Sequence, residues 1–289
     1  MKTLSIAFIF ALTGCFLTPQ GNNNNTQGKK VFQGQFQMND IQGFITSDPN
    51  NKIESFVLSG FYWPAQKTIA SLHRTRDISA TRDRAGWNCA VEKDPKKPSR
   101  VNAETGFLSV GTLEFNSLKM NEAEGHLYSA VIARDYPAGL FPVKASGSDT
   151  SDAFTDVVSM PEVIRGARIN NKDIEKEGLI MNQGDALKFE WSRPASLDEG
   201  NIIFVAASVE TDKEYITADC GIWEKELWAS QGTTLSMEMP SQYVTQLPAS
   251  SFVQFLVRRE HRVKGRNPAI VDNILLGMRI VATPGVILQ

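Results

Sequence analysis

Histidine and cysteine are both scarce in this 289-residue chain, with three of each. His73, His126 and His261 stand alone, with no two spaced four apart around a glutamate. No cysteine has a second one three residues away. Those absences exclude the usual zinc spacings, and nothing in the sequence calls for a cofactor. Also missing are a Gly-x-Ser-x-Gly elbow and a glycine-rich loop ending in lysine, the local marks of a strained nucleophile and of a phosphate cradle. A serine–histidine–acid triad gathered from distant segments stays open. Cationic excess is lacking too. The 30 Lys and Arg face 32 Asp and Glu, a formal charge of −2, where a general nucleic-acid binder would be basic. No apolar run nears the roughly 20 residues of a membrane-spanning helix.

What is present begins at the N-terminus. Lys2 precedes an apolar stretch from Leu4 to Leu12. It is about half a spanning length and reads as the core of a signal peptide. Leu12-Thr13-Gly14-Cys15 closes it. That ending resembles the lipobox of bacterial lipoproteins: an aliphatic residue, two small ones, then the cysteine that is lipidated. The resemblance implies a signal peptide over 1–14 and lipid on Cys15. Phe16 and Leu17 follow with no aspartate, which is similar to Gram-negative lipoproteins sorted to the outer membrane. The implied partner is the membrane itself, held through the lipid. Each buried methylene contributes about 0.8 kcal/mol, so two or three chains make a firm anchor. Residues 15–30 form the lipidated cysteine and a flexible tether, since four consecutive asparagines between glycines carry no periodicity.

From Val31 onward the pattern is strand-like and the expected fold class is all-β. Short apolar runs alternate with turn chemistry at Ser47-Asp48-Pro49-Asn50-Asn51, Lys93–Pro98 and Pro137-Ala138-Gly139. A bulge fits at Gly111. Leu187-Lys188-Phe189-Glu190-Trp191-Ser192 alternates strictly, which puts Trp191 in a core. Ile202 to Val209 is a continuous apolar run, suited to a strand covered on both faces. Ser241 is placed to cap a single helical turn. We set a domain boundary at Pro161, giving units over 31–160 and 161–289. The second resembles the Ig-like β-sandwich domains of Gram-negative envelope lipoproteins, in Trp191, the strand around Ile203–Ala207, the Cys220 segment and the Leu247-Pro248 turn into Phe252–Val257. The expectation is two β-sandwich (Ig-like) domains in tandem, and this likeness implies a scaffold and no particular activity.

Several constellations invite a chemical reading. Glu122 and Glu124 are paired carboxylates beside Asn121 and Gly125, which suggests an exposed turn. Gly147-Ser148-Asp149-Thr150-Ser151-Asp152, with Asp156 beyond, offers oxygens to calcium but misses the EF-hand spacing. Two basic segments could attract an envelope polyanion. In one, Lys67, Arg74, Arg76, Arg82, Arg84, Lys93, Lys96, Lys97 and Arg100 outnumber Asp77, Asp83, Glu92 and Asp94. In the other, Arg258, Arg259, Arg262, Lys264 and Arg266 are opposed only by Glu260. Phe61-Tyr62-Trp63 and the pair Trp223 and Trp228 could stack on a glycan. Cys89 and Cys220 lie about a domain length apart, and if the halves are structural cousins they occupy equivalent places and do not meet, so buried free thiols are favoured over a disulfide. The functional expectation is an envelope lipoprotein with a non-catalytic structural, adhesive or binding role. The alternatives are a hydrolase of an envelope polymer and a glycan- or polyanion-binding module.

Overall fold

The structure, a computed structural model, describes residues 32–44, 52–64, 88–95, 107–132, 136–149, 151–174, 178–230, 232–266 and 270–288. The chain is all-β. A long opening hairpin joins β1 (Phe32–Phe44) to β2 (Lys52–Pro64), and β3 (Asn88–Pro95) follows. Next come β4 (Leu113–Phe115), β5 (Leu118–Lys119), β6 (Asn121–Ala123), β7 (Leu127–Ile132), β8 (Gly139–Ala145) and β9 (Phe154–Met160). The second half holds β10 (Arg168–Ile169), β11 (Lys172–Asp173), β12 (Leu179–Asn182), β13 (Leu187–Ser192), β14 (Asn201–Glu210) and β15 (Glu214–Trp223). It ends with β16 (Thr234–Met239), β17 (Ser250–Lys264) and β18 (Ile270–Leu288). Two short helices interrupt it, α1 (Glu224–Ser230) and α2 (Ser241–Val244). Pro240, and not Ser241, occupies the N-cap of α2, and no side chain caps it.

The architecture is two β-sandwiches built on one shared sheet. A ten-stranded sheet runs β3-β15-β14-β17-β18-β1-β2-β7-β6, with β12 beside the far end of β18. Two four-stranded sheets, β5-β4-β8-β9 and β11-β10-β13-β16, cover different stretches of one face of it. Strand alternation decides which residues meet. Phe36, Met38, Phe56 and Leu58 of the large sheet pack against Leu113, Phe115, Val143 and Val158 of the first small sheet. Ile203, Val205, Phe255 and Val257 pack against Ile169, Phe189, Trp191 and Met237 of the second. Trp191 is fully buried, and β13 alternates buried and solvent-facing as its sequence requires. At Gly111 the backbone turns with φ of 73°, and a Cβ would meet the Gly147 carbonyl, so glycine is needed there.

The cores divide near residue 160, but the strands do not. Val263, Ile270 and Leu275, from the second half of the chain, pack in the first core. Cys89 and Val91, from the first half, pack against the second. The boundary drawn at Pro161 therefore separates two cores and cuts across one sheet. Around the middle of the large sheet, the opposite face is also withdrawn from solvent. Ile41, Ala206, Leu256, Ile280 and Ala282 cluster on it, and for that reason the run from Ile202 to Val209 is apolar without alternation.

The free thiols favoured on sequence grounds are not found. β3 pairs antiparallel with β15, placing Cys89 directly opposite Cys220, and the two form a disulfide. The halves are not equivalent at these positions, because β3 leaves its own sandwich to extend the sheet of the other.

Because strands cross between the cores, fragments 31–160 and 161–289 expressed separately are expected to show no cooperative thermal unfolding by circular dichroism. The whole chain should melt in a single transition.

Candidate functional site: a charged seam between the two cores

β17 and β18 run from the second core into the first. Midway, the positions that should face a core carry Arg259 and His261 on β17 and Gly277 and Arg279 on β18. The segment between the halves crosses this point closely. A Cβ on Gly277 would lie 1.9 Å from the Ser159 carbonyl oxygen, so only glycine lets the chain pass. Arg259 and Arg279 are register partners, and both are fully buried. Two facing guanidiniums tolerate each other because each has its own carboxylate. Arg279 forms an ion pair with Asp40, its register partner on β1. Arg259 donates from Nε and Nη2 to Glu224, the first residue of α1, at 3.0 and 2.6 Å.

Their remaining N–H groups hold the crossing segment. Arg279 Nε donates to the Pro161 carbonyl at 3.0 Å, and Nη2 donates to the Tyr136 carbonyl. Arg259 Nη1 donates to the carbonyls of Glu162 at 2.9 Å and Val163 at 3.3 Å. A polar chain continues outward from Glu224. It accepts from Asn201 Nδ2 at 3.3 Å, and Asn201 Oδ1 lies 3.1 Å from His261 Nδ1. The same ring nitrogen is 3.0 Å from Asp198 Oδ2. With oxygen acceptors on both contacts, Nδ1 carries the proton. The Glu162 carboxylate accepts from Ala195 N–H, Ser196 N–H and Ser196 Oγ at 2.9, 3.1 and 2.8 Å. Partial burial pushes the Glu162 carboxyl up. Those hydrogen bonds and the nearby Arg259 charge outweigh it, so its pKa falls below the ordinary glutamate value.

An aspartate holding a histidine tautomer is half of a hydrolytic triad. Here the ring packs on the backbone of Gly200, whose Cβ would sit 2.5 Å from the His261 ring. Among the described residues, no serine or cysteine hydrogen-bonds to that ring. The arrangement fixes strands and a crossing segment in place; its chemistry is that of a latch.

The other residues nominated from sequence are dispersed. Arg258 and Arg259 are buried on opposite faces of β17, paired with Glu260 and Glu224. Arg262 also pairs with Glu260, at 2.5 Å from its Nε. Lys264 and Arg266 alone are exposed. The five do not make one basic face, because strand alternation and internal carboxylates divide them. Of the other basic segment only Lys93 is exposed on a described strand; Lys67, Arg74, Arg76, Arg82, Arg84, Lys96, Lys97 and Arg100 lie outside the described residues, as do His73, Cys15, residues 1–30 and the 47–51 turn.

The calcium reading fails on Asp156. This carboxylate is buried away from the serine loop, accepting from the Arg266 N–H at 2.9 Å and Asn273 Nδ2 at 2.6 Å. Ser148 and Ser151 turn inward to the Ser109 carbonyl. Glu122 lies on an exposed hairpin, 2.7 Å from His126. Slight burial raises its pKa, but hydrogen bonds from His126, Ser109 and Tyr128 bring the net value down. Phe61 and Tyr62 are buried, and burial with the nearby Asp156 charge drives the Tyr62 phenol far up. Trp223 packs with Ile202 and Phe204, while Trp228 sits on α1 under the Arg193 guanidinium at 3.8 Å. Trp223 and Trp228 thus do not share one stacking platform, and the Trp63 side chain lies outside the described residues.

No family model matches this chain, and no curated protein matches it. Among solved structures it is similar to a chimeric titin Z1Z2-Z1Z2 tandem functionalised with an exogenous GRGDS peptide from fibronectin, at 12% identity. That match covers 89% of this chain and 97% of the other, with a TM-score of 0.17, too low to carry an argument.

Two outcomes test the seam. Arg259→Ala leaves Glu224 buried without its cation and is expected to cost about 3–5 kcal/mol in urea unfolding, whereas Arg259→Met with Glu224→Leu should recover much of that loss. The lowered Glu162 pKa stabilises the fold above the ordinary glutamate value of about 4.3, and this contribution is lost as pH falls through the depressed native value. Glu162→Gln should therefore flatten the acid limb of a stability–pH curve without altering its neutral shape.

Proposed function

We propose that this chain is a lipid-anchored protein of the bacterial outer membrane with a non-catalytic structural, adhesive or binding role. The observation that carries the reading is the Cys89–Cys220 disulfide, built into the register of the sheet. Such bonds persist in oxidising compartments, the envelope among them. It supports export, which is what the Leu4–Leu12 stretch and Leu12-Thr13-Gly14-Cys15 imply. With the other two cysteines paired, Cys15 is left for lipid. The membrane is then the first partner, reached through the N-terminus.

A second reading, a hydrolase of an envelope polymer, has one observation in its favour, the His261–Asp198 pair at 3.0 Å. The latch role of that pair accounts for it more simply. A polyanion- or glycan-binding role rests on Lys264 at the end of β17 and Arg266 just beyond it; Phe61, Tyr62, Trp223 and Trp228 do not support it.

Labelled palmitate should enter the wild-type protein and not Cys15→Ser, which should leave the membrane fraction for the soluble envelope. Unchanged membrane retention of Cys15→Ser would overturn the anchor. Lys264→Glu with Arg266→Glu should weaken retention on anionic vesicles only if the basic end of β17 binds polyanions.

A further inference from the structure

At one edge of the large sheet lies β3, and it is attached differently from its neighbours. It pairs with β15 over eight positions, from Asn88 opposite Gly221 to Pro95 opposite Glu214, and no other described strand pairs with it. Among the described side chains of β3, Asn88 is buried, and the apolar contribution to the second core comes from Cys89 and Val91, both partly buried. The centre of that core is formed by residues such as Phe189, Trp191, Val205 and Phe255, which are fully buried without help from β3. Little apolar burial therefore holds β3, and the Cys89–Cys220 bond is its covalent tie. The two sulfurs are unequal. Cys220 is fully buried in the middle of β15, whereas Cys89 lies on the partly exposed edge strand.

We infer that the disulfide is a redox clasp on β3. A dithiol reductant attacks Cys89 Sγ, which belongs to the less buried residue of the pair, as a thiolate. The S–S bond breaks, and its electron pair leaves with Cys220 Sγ, which takes up a proton. The second thiol of the reductant then displaces Cys89 as a thiol, and the reductant departs as its own disulfide. With the tie cut, β3 detaches while both cores stay folded. β15 then becomes the edge strand, with eight residues of backbone exposed to pairing. The device is independent of the lipid anchor, since it needs only the fold.

Hydrogen exchange on the full chain, with and without dithiothreitol under native conditions, tests this. Reduction is expected to remove protection from 88–95 and from the outward amides of 214–221, while 253–264 and 275–283 keep theirs. Cys89→Ser with Cys220→Ser should show the same pattern without reductant. In single variants, Cys220→Ser should form a mixed disulfide with oxidised glutathione at least ten times faster than Cys89→Ser does. Unchanged protection of 88–95 after complete reduction, loss of protection throughout the chain, or equal reactivity of the two thiols would each overturn the inference.

Discussion

Two guanidiniums facing each other in a dry interior are unfavourable unless each is paired, and the structure turns on how Arg259 and Arg279 are paired. Asp40 comes from the first strand, Glu224 from the start of a helix midway along the second half, and the carbonyls that accept from the arginines belong to Tyr136, Pro161, Glu162 and Val163. Six segments of the chain are thus tied to one point. Buried ion pairs are weak sources of net stability, because desolvation offsets attraction. Their value here lies in geometry, since both arginines hold the crossing segment through its carbonyls.

The seam also explains why two cores can share a sheet without merging. Arg259 and Arg279 stand on the core-facing side of β17 and β18, between the two apolar clusters. Charged side chains that must reach carbonyls keep a polar divide between the apolar clusters. Gly277 sets how closely the chain crosses it. The His261–Asp198 pair and the Glu162 carboxylate extend the divide to the surface through the 195–201 loop.

Much of the fold was legible in the residues. The alternation at Leu187–Ser192 placed Trp191 inside, and the unbroken run at Ile202–Val209 announced a strand covered on both faces; both follow from period-two geometry. What could not be read was pairing between distant strands. Nothing local to Cys89 states that its strand will join β15, so likeness of the halves suggested the wrong outcome. The basic cluster misled for a related reason. Arg258 and Arg259 are adjacent in sequence, yet neighbours on a strand point to opposite faces, and their carboxylates come from residues 260 and 224. One signal was available and unused: Arg279 sits inside the apolar run Ile274-Leu275-Leu276-Gly277-Met278-Arg279-Ile280-Val281, where a lone charge must find a buried partner.

The parallel pairing of β1 with β18 has a mechanical side. β1 begins at Phe32, where the described chain starts, and runs beside β18 from Gly34 opposite Asn273 to Gly43 opposite Ala282. A pull along the axis of β1 acts on a ladder whose rungs share the load at once, and β2 flanks the same strand on its other side. A strand loaded in shear yields at far greater force than one peeled rung by rung. A lengthwise load on β1 is thus met by both of its neighbours together.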